Sequence, residues 1–118
     1  MRDNKISNLA EQLFSKDEKT RYKAFLALKE ASAESSEVYS YWDQFRKMLQ
    51  SKSSYQRSIG MLLMGENAKW DSEGKLEQDY RQLLSLCEDE KFITSRQAVQ
   101  NIAAWAEYLP GRRDEVAA

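Results

Sequence analysis

Few residues in this chain could carry out chemistry. Histidine, the usual general base near neutral pH and the commonest metal ligand, is missing from all 118 residues, which removes nucleophile–His triads and His-based zinc sites. Cys87 is the one cysteine, so an internal disulfide, a zinc cluster and a CxxC redox pair are excluded as well. Glu34 and Glu37 have the E-x-x-E spacing of all-α magnesium-dependent phosphohydrolases, but no second acidic pair follows at matching spacing. Gly60 and Gly65 form GxxxxG, yet Glu66-Asn67 stand where a phosphate loop needs Lys and then Ser or Thr. The expectation is therefore a non-enzyme with no catalytic residue, no cofactor and no metal.

Binding is the remaining chemistry, and four residues are candidates for it: Arg57, Asn67, Lys69 and Trp70. Asp17 with Arg21, and Ser53 with Arg57, can build a ladder of cap oxygens and arginines inside the fold, or an arginine row that grips a partner's carboxylates or phosphates. Asn67 falls on an apolar helical stripe four residues after Leu63, where an amide is costly unless it is hydrogen-bonded. Trp42, Trp70 and Trp105 also fall on apolar stripes, which points to core packing; Lys69 points outward beside Trp70.

Formal net charge is -1, with a pI near 5.6, so no global basic excess points to nucleic acid or to an anionic membrane. Locally the charge is uneven. Between positions 44 and 70, Arg46, Lys47, Lys52, Arg57 and Lys69 outweigh Glu66, whereas positions 71 to 90 hold seven acids against Lys75 and Arg81. A two-signed surface suits a protein partner or self-association, and the basic stretch gives nucleic-acid backbone binding as the alternative. The opening MRDNKISNLAEQLF lacks the apolar core of a signal peptide, and no run of about 18 apolar residues could span a membrane. Membrane association is not expected; a cytoplasmic location is.

The elements that position these residues should all be helices. Ala, Leu, Glu, Lys, Gln, Arg and Met supply 66 residues against 9 for Val, Ile and Thr. Ile6, Leu9, Leu13 and Phe14 lie on one helical face, followed by the box Ser15-Lys16-Asp17-Glu18, in which Asp17 is a second cap candidate. Ala24, Phe25, Leu28 and Ala31 mark a second helix, with Tyr22 and Leu26 beside them; Val38, Trp42, Phe45 and Leu49 mark a third. Ser53-Ser54-Tyr55-Gln56 caps a fourth, striped by Tyr55, Ile59, Leu62, Leu63 and Trp70, with Asp71 placed to cap its exit turn. Leu76, Tyr80, Leu83, Leu84 and Cys87 mark a fifth. Thr94-Ser95-Arg96-Gln97 is a third box, leading into Ala98, Val99, Ile102, Trp105 and Leu109 before Pro110-Gly111. The reading is one all-α domain over 1–118, six helices in three stacked antiparallel hairpins at roughly 4–33, 36–71 and 74–110.

A weak internal repeat supports the stacking. Arg21 and Arg57 are 36 residues apart, Leu13 and Leu49 each lie eight before their arginine, and Arg96 follows at a looser spacing of 39. The layout in LFSKDEKTRYKAFLAL, MLQSKSSYQRSIGMLL and CEDEKFITSRQAVQNIAAWA resembles HEAT-type repeats, which implies an α-solenoid serving as a protein-binding scaffold. More specifically, SSYQRSIGMLLMGENAKWDSEGKLEQDY and DEKFITSRQAVQNI, over about residues 53–102, resemble a small uncharacterised Gram-positive group sometimes labelled "SufBD protein". That label implies iron–sulfur assembly, for which Cys87 alone supplies no ligand set. The resemblance also implies further helix beyond Pro110, so the last hairpin is expected to be an open end, closed by self-association or by more chain.

Overall fold

A computed structural model describes residues 2–109, with side chains from Lys5 onward. Helices α1 (Arg2–Gln12) and α2 (Glu18–Glu34) make the first hairpin. In the second, α3 enters as a 3-10 turn at Val38–Tyr41, continues as Trp42–Met48, and pairs with α4 (Ser54–Asn67). The third pairs α5 (Lys75–Ser85) with α6 (Phe92–Trp105), and short 3-10 turns at Ala68–Trp70, Leu86–Glu88 and Ala106–Tyr108 extend the helix ends. No strand occurs among the described residues.

The second helices of the hairpins lie side by side, α4 packing against both α2 and α6. The first helices form the other layer, joined by Gln44 Nε2 donating to the Ala10 carbonyl at 3.1 Å and by Trp42 Nε1 donating to Asp79 at 2.8 Å. The result is a two-layer slab of 41 × 32 × 18 Å. Its core runs unbroken from Leu13 and Leu28 through Trp42, Phe45 and Leu63 to Leu76, Leu83 and Trp105, each with at most 2% of its surface exposed.

Local sequence explains the boundaries, with two corrections. Asp17 and Ser53 cap α2 and α4 as the box patterns require, accepting from the Thr20 and Gln56 N–H groups. Ser15 is not the cap of α2; its hydroxyl accepts from the Asp17 N–H one step outside the helix. Asp71 caps the exit turn as expected, its N–H donating to the Ala68 carbonyl at 3.2 Å, and its carboxylate also accepts the Lys75 and Leu76 N–H groups, both at 2.9 Å, at the start of α5. The Thr94 box does not open the sixth helix either. That helix starts at Phe92, after Asp89 has accepted the Lys91 N–H, so Thr94 sits buried within its first turn.

Several apolar positions leave the core. Phe14 lies beyond the end of α1 and is exposed, and Tyr22, Leu26 and Val99 are exposed on their helices, while Leu62 is only half-buried. Pro110-Gly111 and the C-terminal EVAA lie outside the described residues.

The glycines of GxxxxG have a packing role. A Cβ on Gly60 would stand 2.7 Å from the Phe45 carbonyl oxygen and 2.8 Å from the Met48 Cβ, and one on Gly65 would collide with the Asn101 amide. The first contact is with α3 backbone, which cannot move aside. Gly60→Ala should thus destabilise the fold by about 1 to 3 kcal/mol through overpacking, although helix propensity alone favours alanine by roughly 1 kcal/mol. Urea denaturation followed by circular dichroism gives the sign.

Candidate functional site

The four candidate residues occupy both ends of α4. Arg57 and Asn67 are ten residues apart, roughly 15 Å along the helix axis. Asn67 is fully buried, donating its amide to the Leu63 carbonyl at 2.8 Å and to the Ser32 hydroxyl at 3.0 Å. Trp70, half-buried, donates its indole N–H to the Ser32 carbonyl at 2.7 Å. Lys69 lies over the Trp70 ring at 5.5 Å and reaches the Ala33 carbonyl at 3.5 Å. These three therefore form a seam that fastens α4 to α2.

At the other end, the arginines 36 residues apart adopt the same pose. Arg21 Nη1 donates to the carbonyls of Ser15 and Lys16 at 3.0 and 3.2 Å, and Arg57 Nη1 donates to those of Ser51 and Lys52 at 2.9 and 3.1 Å. Each arginine ties down the loop before its own helix. What they do with the remaining nitrogens differs. Arg57 forks onto Asp89 of the next hairpin, Nε to Oδ2 at 2.7 Å and Nη2 to Oδ1 at 3.0 Å. Arg21 instead stacks 4.8 Å from the centroid of the Tyr55 ring, and its Nε is buried with no acceptor. Arg96, the third arginine of the sequence pattern, is exposed and takes no part in this ladder.

The Arg57 hydrogen bonds hold the Asp89 carboxyl below the usual carboxylate range, just as Thr20 holds down that of Asp17. A group whose folded-state pKa is depressed stabilises the fold above its unfolded pKa, and that stabilisation is lost as pH falls through the folded value. Stability should therefore decline from about pH 4 downward. Asp89→Asn should lower stability at pH 7 and flatten this acid limb, as urea midpoints measured across the range will show.

Catalytic chemistry gains little from the geometry. Burial, and then Glu88, push the Cys87 thiol up, away from the nucleophilic thiolate. Burial and the bond to Asp71 raise Tyr39 well above the ordinary tyrosine range. Among the described residues no cluster of three His, Cys, Asp or Glu could hold a metal ion.

The surface feature that stands out is a groove of about 530 Å³ on the face formed by the second helices. Tyr22 and Phe25 of α2 form one wall, and Tyr55, Ile59 and Leu62 of α4 form the floor. The opposite wall is the first turn of α6, where Phe92 and Ile93 are 72% and 71% exposed. Lys91 is the one charged side chain in the lining. Bulky apolar groups are thus left open on a helix that otherwise packs well. The groove is not legible in the sequence because Phe92 and Ile93 precede the Thr94 box and fall outside the expected helix; the signal present is Tyr22, off the main stripe of α2.

The basic stretch 44–70 is partly neutralised. Arg46 sits within 4 Å of Asp43 and Asp79, and Arg57 is paired with Asp89, which leaves Lys47, Lys52 and Lys69 exposed. No helix of the described residues is long and apolar enough to cross a membrane. No protein-family model matches this chain, and neither does any curated protein or solved structure.

Proposed function

We propose that this chain is a non-enzymatic, HEAT-like helical-repeat module of the cytoplasm that binds another protein, and that the groove over α4 is its contact surface. The observation that carries the reading is the open apolar lining between α2 and α6, with Phe92 and Ile93 projecting from its edge. The common loop-tying pose of Arg21 and Arg57 supports the repeat reading. Exposed aromatic and aliphatic side chains at the rim of a preformed groove are the anchors from which hot spots are made.

The test is an affinity capture from the source cells with the wild-type chain and with Ile93→Glu, a change at an exposed position expected to leave stability within about 0.5 kcal/mol. A protein retained by the wild type and lost by the variant supports the reading; equal retention by both rejects the groove as the contact surface. Nucleic-acid backbone binding through residues 44–70 predicts instead a DNA affinity that falls steeply with salt. With Arg46 and Arg57 already paired, only a shallow dependence is expected.

A further inference from the structure

The three second helices match position by position when counted from their N-cap residues, Asp17, Ser53 and Lys91. The eighth residue after the cap is Phe25, Met61 and Val99 in turn, the eleventh is Leu28, Met64 and Ile102, and the fifteenth is Ser32, Ala68 and Ala106. On α2 and α4 all six are buried. There the next hairpin lies alongside: Asn67 of α4 donates to the Ser32 hydroxyl at 3.0 Å, and Asn101 of α6 donates to the Met61 carbonyl at 3.0 Å. On α6 the same positions are still apolar, but among the described residues no hairpin lies beyond them. Val99 is 56% exposed, and Ile102 and Ala106 are only half-buried. Phe92, seven residues before Val99 and so on nearly the same side of the helix, and the exposed Ala103 complete an open stripe along the free edge of α6.

The opposite edge of the slab is not suited to cover this stripe. The hollow there, between α1 and the side of α2 turned away from α4, is lined by Lys5, Glu30 and Glu34 as well as Ala27 and Ala31. A copy stacked head to tail would set these charges on Val99 and its neighbours, where desolvation without a partner is costly. A second α6 fits instead, in size and in charge. In an antiparallel pair centred on Val99, residues equidistant from it meet: Phe92 faces Ala106, Ser95 faces Ala103, and the exposed Lys91 comes level with the exposed Glu107. We infer that the free edge of α6 is a self-association surface. A second copy, turned about an axis along the slab normal, lays its α6 antiparallel on this one, so that each Val99 stripe closes the other and Lys91 and Glu107 pair twice across the interface. The two slabs then continue as one. This surface is distinct from the groove: Phe92 borders both, but Ile93, about 100° further round α6, belongs to the groove.

A contact one helix of 14 residues long is at the small end of protein interfaces, so a weak dimer is expected. Sedimentation equilibrium of the full chain at low salt, from about 10 μM to 1 mM, provides the test. The wild type should pass from monomer to dimer within this range, and Val99→Glu should stay monomeric with its helical circular dichroism unchanged. Lys91→Glu and Glu107→Lys should each weaken the dimer by at least about tenfold, because each sets like charges together twice. An equimolar mixture of these two variants should dimerise again, since every cross-interface pair is then of opposite sign. High salt should narrow the difference between single variants and mixture. A wild type that stays monomeric throughout overturns the inference and leaves the stripe to another occupant. A dimer kept in Val99→Glu, or lost in Ile93→Glu alone, places the contact elsewhere and overturns it too. A mixture no more dimeric than its two components overturns the antiparallel pairing about Val99.

Discussion

Trp42→Ala is expected to remove about 4 to 5 kcal/mol of stability, the upper end of the range for truncating a buried aromatic side chain. Trp42 is fully buried, its ring lies 5.7 Å from that of Tyr39, and its indole N–H donates to Asp79 across the layer of first helices. Truncation opens a cavity between two hairpins. It also strips a buried carboxylate of its closest donor, leaving Arg46 at 3.9 Å. Against a total of roughly 5 to 15 kcal/mol for a domain, this removes a large part of the fold's reserve. Urea unfolding followed by circular dichroism measures it, with Trp42→Phe as the comparison that keeps most of the packing and loses the donor. A loss below about 2 kcal/mol would show that the first helices are not joined through this side chain.

The second large effect separates two arginines that look alike in the sequence. Arg57→Ala should cost about 3 to 5 kcal/mol, because it leaves the carboxylate of Asp89, 6% exposed, without its partner. Arg21→Ala should cost only about 1 kcal/mol, the loss of bonds to two loop carbonyls and of a ring contact. The double variant Arg57→Ala, Asp89→Ala should be more stable than the two single losses added together, since the first change has already removed the reason for the second. Equal effects of Arg21→Ala and Arg57→Ala would mean that the Asp89 pair contributes nothing beyond the loop bonds.

The legible part of the fold and the illegible part differ in physical kind. Helix number and the caps at Asp17 and Ser53 depend on residues close together in the chain, and composition with periodicity reports such local terms directly. Phe14 was misplaced because α1 ends at Gln12, and no glycine or proline marks that end. Phe92 and Ile93 are not legible because Asp89, rather than Thr94, organises the start of α6, through a bond to the Lys91 N–H, whereas the box pattern points to Thr94. The close approaches at Gly60 and Gly65 were invisible for a different reason: they depend on how near α3 and Asn101 come to α4, a distance between helices. At the candidate site, Arg57, Asn67, Lys69 and Trp70 were legible as unusual residues on a helix, but not as two groups at opposite ends of it. The contrast between Arg21 and Arg57 needed partners 32 residues away to be seen.

Those separations bear on how the chain folds. The side-chain bonds that join one hairpin to the next span 32 to 43 residues, from Arg57–Asp89 and Trp42–Asp79 to Gln56 on the Leu13 carbonyl. Each therefore closes a loop of about one hairpin's length. Loop-closure entropy rises only with the logarithm of length, and contacts of short span are recovered before the cost of distant pairing has accumulated. A chain wired in this way can form a hairpin, latch the next one onto it and continue, so its search is divided into steps that need not wait for its ends to meet.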